Sequence, residues 1–144
     1  MARIDFAFGA SERLTQACQT VLRQYLAGQR VIIYCPDGPR LEAFDRMLWA
    51  LEDTAFVPHV KIDDATSANT AIVMVQENLD KALDRADEHT WLLNLADTCP
   101  PNIGKIKRVL EIVSDDDSDK IAARARWAVY KAAGHELKAH RLAA

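Results

Sequence analysis

The sequence predicts a three-layer α/β/α fold, in one domain over residues 1–144, with a mostly parallel sheet of roughly four to five strands and a C-terminal amphipathic helix. Three observations carry this. Arg30-Val31-Ile32-Ile33-Tyr34-Cys35 is a continuous β-branched run of the kind buried on both faces of a parallel sheet. Strand-like and helix-like periodicities alternate over the first fifty residues, the pattern of right-handed β-α-β crossovers. Finally, Asp119 to Gly134 is rich in good helix formers, follows a run of acids and stops at a glycine.

In order, Arg3 to Phe8 alternates, with Ile4, Phe6 and Phe8 on one side and Asp5 opposite, and reads as a strand. Ser11 is the expected cap of a helix over Glu12 to Ala27. There Leu14, Ala17, Cys18, Val21, Leu22, Tyr25 and Leu26 keep a helical rhythm until Gly28, and Cys18 falls on the core stripe. After the Arg30–Cys35 strand, Pro36-Asp37-Gly38-Pro39 turns the chain into a helix from Arg40 to Leu51, with Leu41, Phe44, Leu48 and Leu51 inward.

Trp49 lies far off that stripe, and Phe56-Val57-Pro58-His59 follows, its proline suggesting a sheet edge or a turn. These residues form either an exposed aromatic patch suited to a protein contact or a cap on the core. Lys61 to Thr70 reads as a loop, Ala71 to Val75 as a buried strand, Glu77 to Ala86 as a short helix and Thr90 to Leu95 as another strand. Cys99-Pro100-Pro101-Asn102 breaks the chain. Lys107 to Val113 is assigned as a last strand on its β-branched content, with a short helix as the alternative.

On the C-terminal helix, at about 100° per residue, Ile121, Ala125, Ala128, Val129 and Ala132 share a face that is expected to pack. Lys120, Arg124, Trp127 and Lys131 form a narrow stripe roughly opposite. A charge run on a helix is ordinarily solvated surface, and Trp127 in its middle is what solvation leaves unexplained. Asp115, Asp116, Asp117 and Asp119 suit the helix N-terminus, and Gly134 suits its left-handed close.

Composition narrows the function classes. A hydrophobic fraction of 49%, a charged fraction of 27% and a net charge of -3 describe an ordinary globular chain, with no global electrostatic case for nucleic acid. Cys18, Cys35 and Cys99 are odd in number and widely spaced, which argues against disulfides or a structural zinc and fits a reducing cytoplasm. The first residues lack a signal-peptide core, and no apolar run approaches membrane-spanning length.

Neither Gly9-Ala10-Ser11 nor Pro36-Asp37-Gly38-Pro39 matches a phosphate-binding loop, so a small nucleotide-dependent enzyme rests on the α/β alternation alone. Cys35 is the best-placed thiol and His59, His89, His135 and His140 the available bases, but nothing fixes their geometry. No metal, cofactor or catalytic constellation is expected. What remains is interaction surface. Lys120, Arg124 and Lys131 around Trp127 suit an acidic peptide that carries a hydrophobic residue or a terminal carboxylate. Stacking and phosphate contacts to single-stranded DNA are the alternative, with few cations for it.

Leu48-Trp49 followed by Phe56-Val57-Pro58-His59, the Gly28-x-Arg30-Val31 lead into the second strand, and Arg124-x-x-Trp127-x-x-Tyr130-Lys131-x-x-Gly134 together resemble the chi subunit family of bacterial DNA polymerase III. The resemblance covers most of the chain and is weakest from Lys61 to His89. It implies a non-catalytic accessory subunit that joins the psi subunit, and through it the clamp loader, and holds the acidic C-terminal tail of single-stranded DNA-binding protein. It implies little or no direct nucleic-acid binding and no membrane. By position, Val113, Lys120, Arg124 and Trp127 would form the tail site with Lys131 nearby. Trp49, Phe56, Val57, Pro58 and His59 would lie at the psi contact. Family members often have a tyrosine where Trp127 stands and a base where Ala128 stands.

Overall fold

The computed structural model describes residues 2–51 and 57–142. The elements run β1 (Arg3–Ala10), α1 (Arg13–Leu26), β2 (Arg30–Tyr34), α2 (Gly38–Trp49), β3 (His59–Lys61), a 3-10 turn (Ser67–Asn69), β4 (Ile72–Val75), α3 (Leu79–Asp84), β5 (Thr90–Asn94), β6 (Arg108–Ser114), α4 (Asp117–Ala132) and β7 (Glu136–Arg141). The α/β class is as the sequence predicts. The sheet is larger, with seven strands in the order β3-β4-β2-β5-β6-β1-β7, and all its neighbours run parallel.

A parallel sheet must be covered on both faces. Ala17, Cys18 and Val21 of α1 and Leu41, Phe44 and Leu48 of α2 cover one face, over Val31, Ile33, Met74 and Leu93. Leu79, Ala82 and Leu83 of α3 and Ala123 and Tyr130 of α4 cover the other, over Ile4, Phe6, Val75, Leu92 and Val109. β5 and β6 are adjacent and parallel without an intervening helix. The connecting segment does a helix's work by burying Ile103 and Ile106 in the second layer.

Two strands differ from the sequence reading. Pro58 precedes a three-residue edge strand, β3, as its missing N–H requires. β7 was not anticipated. Its sequence Glu-Leu-Lys-Ala-His-Arg is mostly exposed, because it is an edge strand whose pairing with β1, from Arg3 opposite Glu136 to Phe8 opposite Arg141, replaces burial as its source of order. Gly134, at φ 86°, reverses the chain between α4 and β7.

β7 is also held by side chains. Asp5, buried in β1, accepts hydrogen bonds from His140 Nε2 at 2.9 Å, Arg108 Nε at 2.7 Å and Arg3 Nε at 3.1 Å. Burial pushes the Asp5 carboxyl up, but these partners outweigh it and hold the group below its usual range.

At helix N-termini, Asp37 caps α2 by accepting from Arg40 N at 3.1 Å, and Asp116 caps α4 by accepting from Ser118 N at 3.0 Å. For α1, Glu12 takes the capping position expected of Ser11 and makes no side-chain bond there. The face assignment of α4 is corrected. Ile121 is 63% and Val129 57% exposed, and Ala125, Ala128 and Ala132 are exposed too. The buried positions are Ala123, Arg126 and Tyr130. Apolarity chose the wrong side of the helix because the strand beneath it presents a carboxylate, which Arg126 and Tyr130 satisfy and alanine cannot.

Two outcomes follow for stability. Ile121→Gln will change the unfolding free energy by no more than about 0.5 kcal/mol, while Tyr130→Ala will cost about 3–5 kcal/mol, both read by urea denaturation. Because the folded pKa of Asp5 is depressed, the unfolded chain binds the extra proton. Its contribution is therefore complete above the ordinary value of 3.8 and is lost as pH falls through the lower folded value. Urea midpoints taken from pH 5 downward will fall less steeply for Asp5→Asn than for wild type.

Candidate peptide-binding groove

The ground beneath α4 is ionic. Glu111 of β6 has no exposed surface. Its Oε1 accepts from Arg126 Nε at 3.0 Å, and its Oε2 accepts from Tyr130 Oη at 2.6 Å and Asn94 Nδ2 at 2.8 Å. Arg13, from the opposite helical layer, brings Nη2 to 3.9 Å from Oε1 and donates to the carbonyls of Asn94 at 3.2 Å and Ala96 at 2.9 Å. Arg126 Nη1 donates to the Asp97 carbonyl at 3.2 Å. Desolvation pushes the Glu111 carboxyl above its usual range, and Arg126 foremost, then Tyr130, Asn94 and Arg13, offset only part of that rise. Guanidinium and amide N–H groups only donate, so this surrounding suits an ionised acceptor. Burial and the same carboxylate push the Tyr130 phenol far above its usual value, so it stays a donor.

This network sets the position of the groove above it. Phe6 packs on Tyr130 with ring centroids 5.9 Å apart at 74°, and on Trp127 at 5.1 Å and 56°. Trp127, next in sequence to the anchored Arg126, is thereby held half-buried against the sheet edge. The resulting groove, about 370 Å³, lies where the carboxyl ends of β1, β6 and β7 meet the first turns of α4. Phe6, Val113 and Ala123 are buried and form its floor, with Phe8 and Trp127 half-buried at its sides. Lys120, Arg124 and Arg141 stand at its rim, and the exposed Asp115 also borders it. Gly9, at φ 86°, allows the register shift in β1 between Phe8 and Ala10 that opens the strand end here.

Four of the five residues expected at a tail site, Val113, Lys120, Arg124 and Trp127, line this one groove. Lys131 does not line it and is exposed one helical turn beyond Trp127. Phe6, Phe8 and Arg141 complete the groove and were missed as site residues. The alternation of Phe6 and Phe8 was visible as strand, but nothing in sequence showed that its end stays uncovered. The network residues Asn94, Glu111 and Arg126 were missed as well. A single acid inside the apolar run Val109-Leu110-Glu111-Ile112-Val113 was the available signal.

A second cleft, about 560 Å³, lies across the N-terminus of α4 and is lined by Arg13, Arg40, Asp97, Asp116 and Asp119 among others. Its cations are already matched: Arg40 Nη1 lies 3.1 Å and Arg13 Nη1 3.8 Å from Asp97. In contrast, Lys120, Arg124 and Arg141 form no ion pair with another described residue. Cys35 is buried, its thiol pushed up by desolvation, and its hydrogen bonds run to the Asp37 and Leu95 carbonyls. His59, His135 and His140 are bonded to Asp45, the Ala2 amide and Asp5 respectively. Among the described residues no His, Cys, Asp and Glu cluster has metal-ligand geometry, and no helix is long and apolar enough to cross a membrane.

The second expected surface is built around Trp49, 49% exposed, whose ring lies 4.4 Å from that of His59. His59 is itself buried, bonded to Asp45 Oδ1 at 2.8 Å and the Val57 carbonyl at 2.7 Å. Val57 is in the core and Pro58 half-buried. Phe56 lies outside the described residues. Trp49 and Pro58 are thus the described members that reach the surface, and His59 props the indole.

Fold and groove define a class: a parallel α/β domain with a cationic, aromatic-lined groove at the carboxyl ends of its strands. The family model described as "DNA polymerase III chi subunit, HolC" matches residues 1–138. The chain therefore belongs to the DNA polymerase III chi subunit family. It is 27% identical over 146 residues to the DNA polymerase III subunit chi of Pseudomonas aeruginosa PAO1, covering 99% of this chain and 98% of that one. It is 26% identical over 120 residues to the DNA polymerase III subunit chi of Escherichia coli K12, covering 83% and 79%. Membership gives the chain an accessory role in DNA replication.

The dependence of the groove on its ionic support is testable. Arg126→Met, which removes the foremost charge compensating the buried Glu111, will cost about 3–5 kcal/mol of unfolding free energy, and adding Glu111→Leu will recover part of the loss. Equal destabilisation of the single and double variants would show that the pair is not the constraint.

Proposed function

We propose that the protein is a replisome adaptor with two protein-binding faces and no catalytic site of its own. The groove at Val113, Lys120, Arg124 and Trp127 takes the acidic C-terminal tail of single-stranded DNA-binding protein. The Trp49 face joins a psi subunit, and through it the clamp loader of DNA polymerase III in the cytoplasm.

The observation that carries this reading is the pairing, in one groove, of an apolar aromatic floor with rim cations that have no ion partner among the described residues. A peptide end offers what both halves need. Its apolar side chain displaces water from Phe6, Phe8 and Trp127, and its carboxylate takes charge-assisted hydrogen bonds from Lys120 and Arg124. Such bonds are stronger beside a desolvated floor than on open surface. Direct nucleic-acid binding is a minor element, since a net charge of -3 leaves few cations to neutralise phosphates.

The two faces separate by mutation. Arg124→Ala will weaken a fluorescent acidic peptide with a free aromatic C-terminus about tenfold, roughly 1.4 kcal/mol, in an anisotropy titration. Trp49→Ala will leave that titration unchanged and abolish co-elution with a psi subunit. Equal peptide affinity of wild type and Arg124→Ala would remove the groove assignment.

A further inference from the structure

Resting on the groove reading above, we infer that Arg141 is a second anion-reading residue, so that the ligand must carry two acidic functions on either side of its apolar side chain. The two cationic walls come from different elements. Lys120 and Arg124 are on α4, whereas Arg141 is the last residue of β7 and borders the same groove. Phe6 and Phe8, on the strand paired with β7, line the groove with them. Arg141 stands opposite Phe8 in the β1–β7 register, and its guanidinium carbon is 5.8 Å from the Phe8 ring centroid. The ring supports the guanidinium from below while its N–H groups remain available, since no described residue forms an ion pair or hydrogen bond with them.

The backbone on both sides of Arg141 is also held in place. The Leu142 amide donates to the Phe8 carbonyl at 2.9 Å, just beyond Arg141, and His140, just before it, is tied to Asp5. An arginine placed between two anchored residues loses less entropy on binding than one on a free terminus. A terminal carboxylate bound by Lys120 and Arg124 is then beyond what Arg141 is needed for. Its natural counterpart is an acidic side chain earlier in the same peptide.

The test is a cycle between protein and peptide, using the full chain and anisotropy at fixed salt. One probe is an acidic peptide ending in an aromatic residue with a free carboxylate. The second has its aspartates replaced by asparagine and keeps the same end. Arg141→Ala is expected to weaken the acidic probe about fivefold to tenfold and to leave the neutral probe unchanged, while Arg124→Ala weakens both. Equal loss on both probes, or no loss on either, would overturn the assignment of Arg141 while Arg124→Ala still reports the groove. Failure of wild type to bind either probe would overturn the groove reading and this inference with it. Arg141→Lys should recover part of the affinity for the acidic probe only; a substitution at an exposed strand end leaves the fold intact, which the circular dichroism of each variant checks.

Discussion

Glu111 occupies an interior strand with no exposed surface, and a carboxylate so placed costs several kcal/mol unless charge and hydrogen bonds replace its water. Three chain segments converge to do so. Arg126 and Tyr130 come from α4, Asn94 from the neighbouring strand β5, and Arg13 from the first turn of α1 on the other side of the sheet. The requirement fixes the rotation of α4 about its axis. Any other rotation would bury alanines against a charge and leave the charge alone. Since buried ion pairs contribute little net stability against apolar packing, what this network supplies is one orientation among several of similar hydrophobic burial.

That rotation divides α4 into three sectors with different work. Ala123, Arg126 and Tyr130 face the sheet. Lys120, Arg124 and Trp127 turn toward the groove. Ile121, Ala125, Ala128, Val129 and Ala132 face away from the body of the domain. The contact of Phe6 with both Tyr130 and Trp127 makes the step from network to groove, so the indole is placed by the same contacts that satisfy Glu111. A groove floor built from strand and helix side chains in the core is more rigid than one built on a loop, which lowers the ordering cost of any ligand.

β7 completes the arrangement. An exposed six-residue edge strand has little burial to hold it, and its order comes from the ladder to β1 and from His140 on Asp5. Without it the groove would have one wall. The cations on that wall and on α4 stand out against a domain whose other arginines are largely engaged with carboxylates or carbonyls, as at Arg13, Arg40, Arg108 and Arg126. Charge left unmatched at a concave aromatic surface is what separates this groove from the larger, internally paired cleft across the N-terminus of α4.

The β-branched run at β2, the Pro36–Pro39 turn, the glycine at 134 and the alternation of periods are local, and local patterns make the α/β class and most helices legible in the amino-acid sequence. The residues of the α4 stripe were legible for the same reason, since Lys120, Arg124 and Trp127 share a side of any helix. Which side faced inward was not, because helical periodicity gives relative angles, and the absolute rotation was decided by one acid 15 residues away from Arg126 in sequence. Nor was β7 legible, or the joining of Arg141 to Phe8 at the far end of the chain, since a polar edge strand carries no burial pattern and its partner is chosen by the sheet. Sequence by itself determined the fold class and the chemistry of the helix stripe; tertiary structure alone decided that the stripe has a floor and a second wall, because both come from strands that meet α4 only when the sheet is complete.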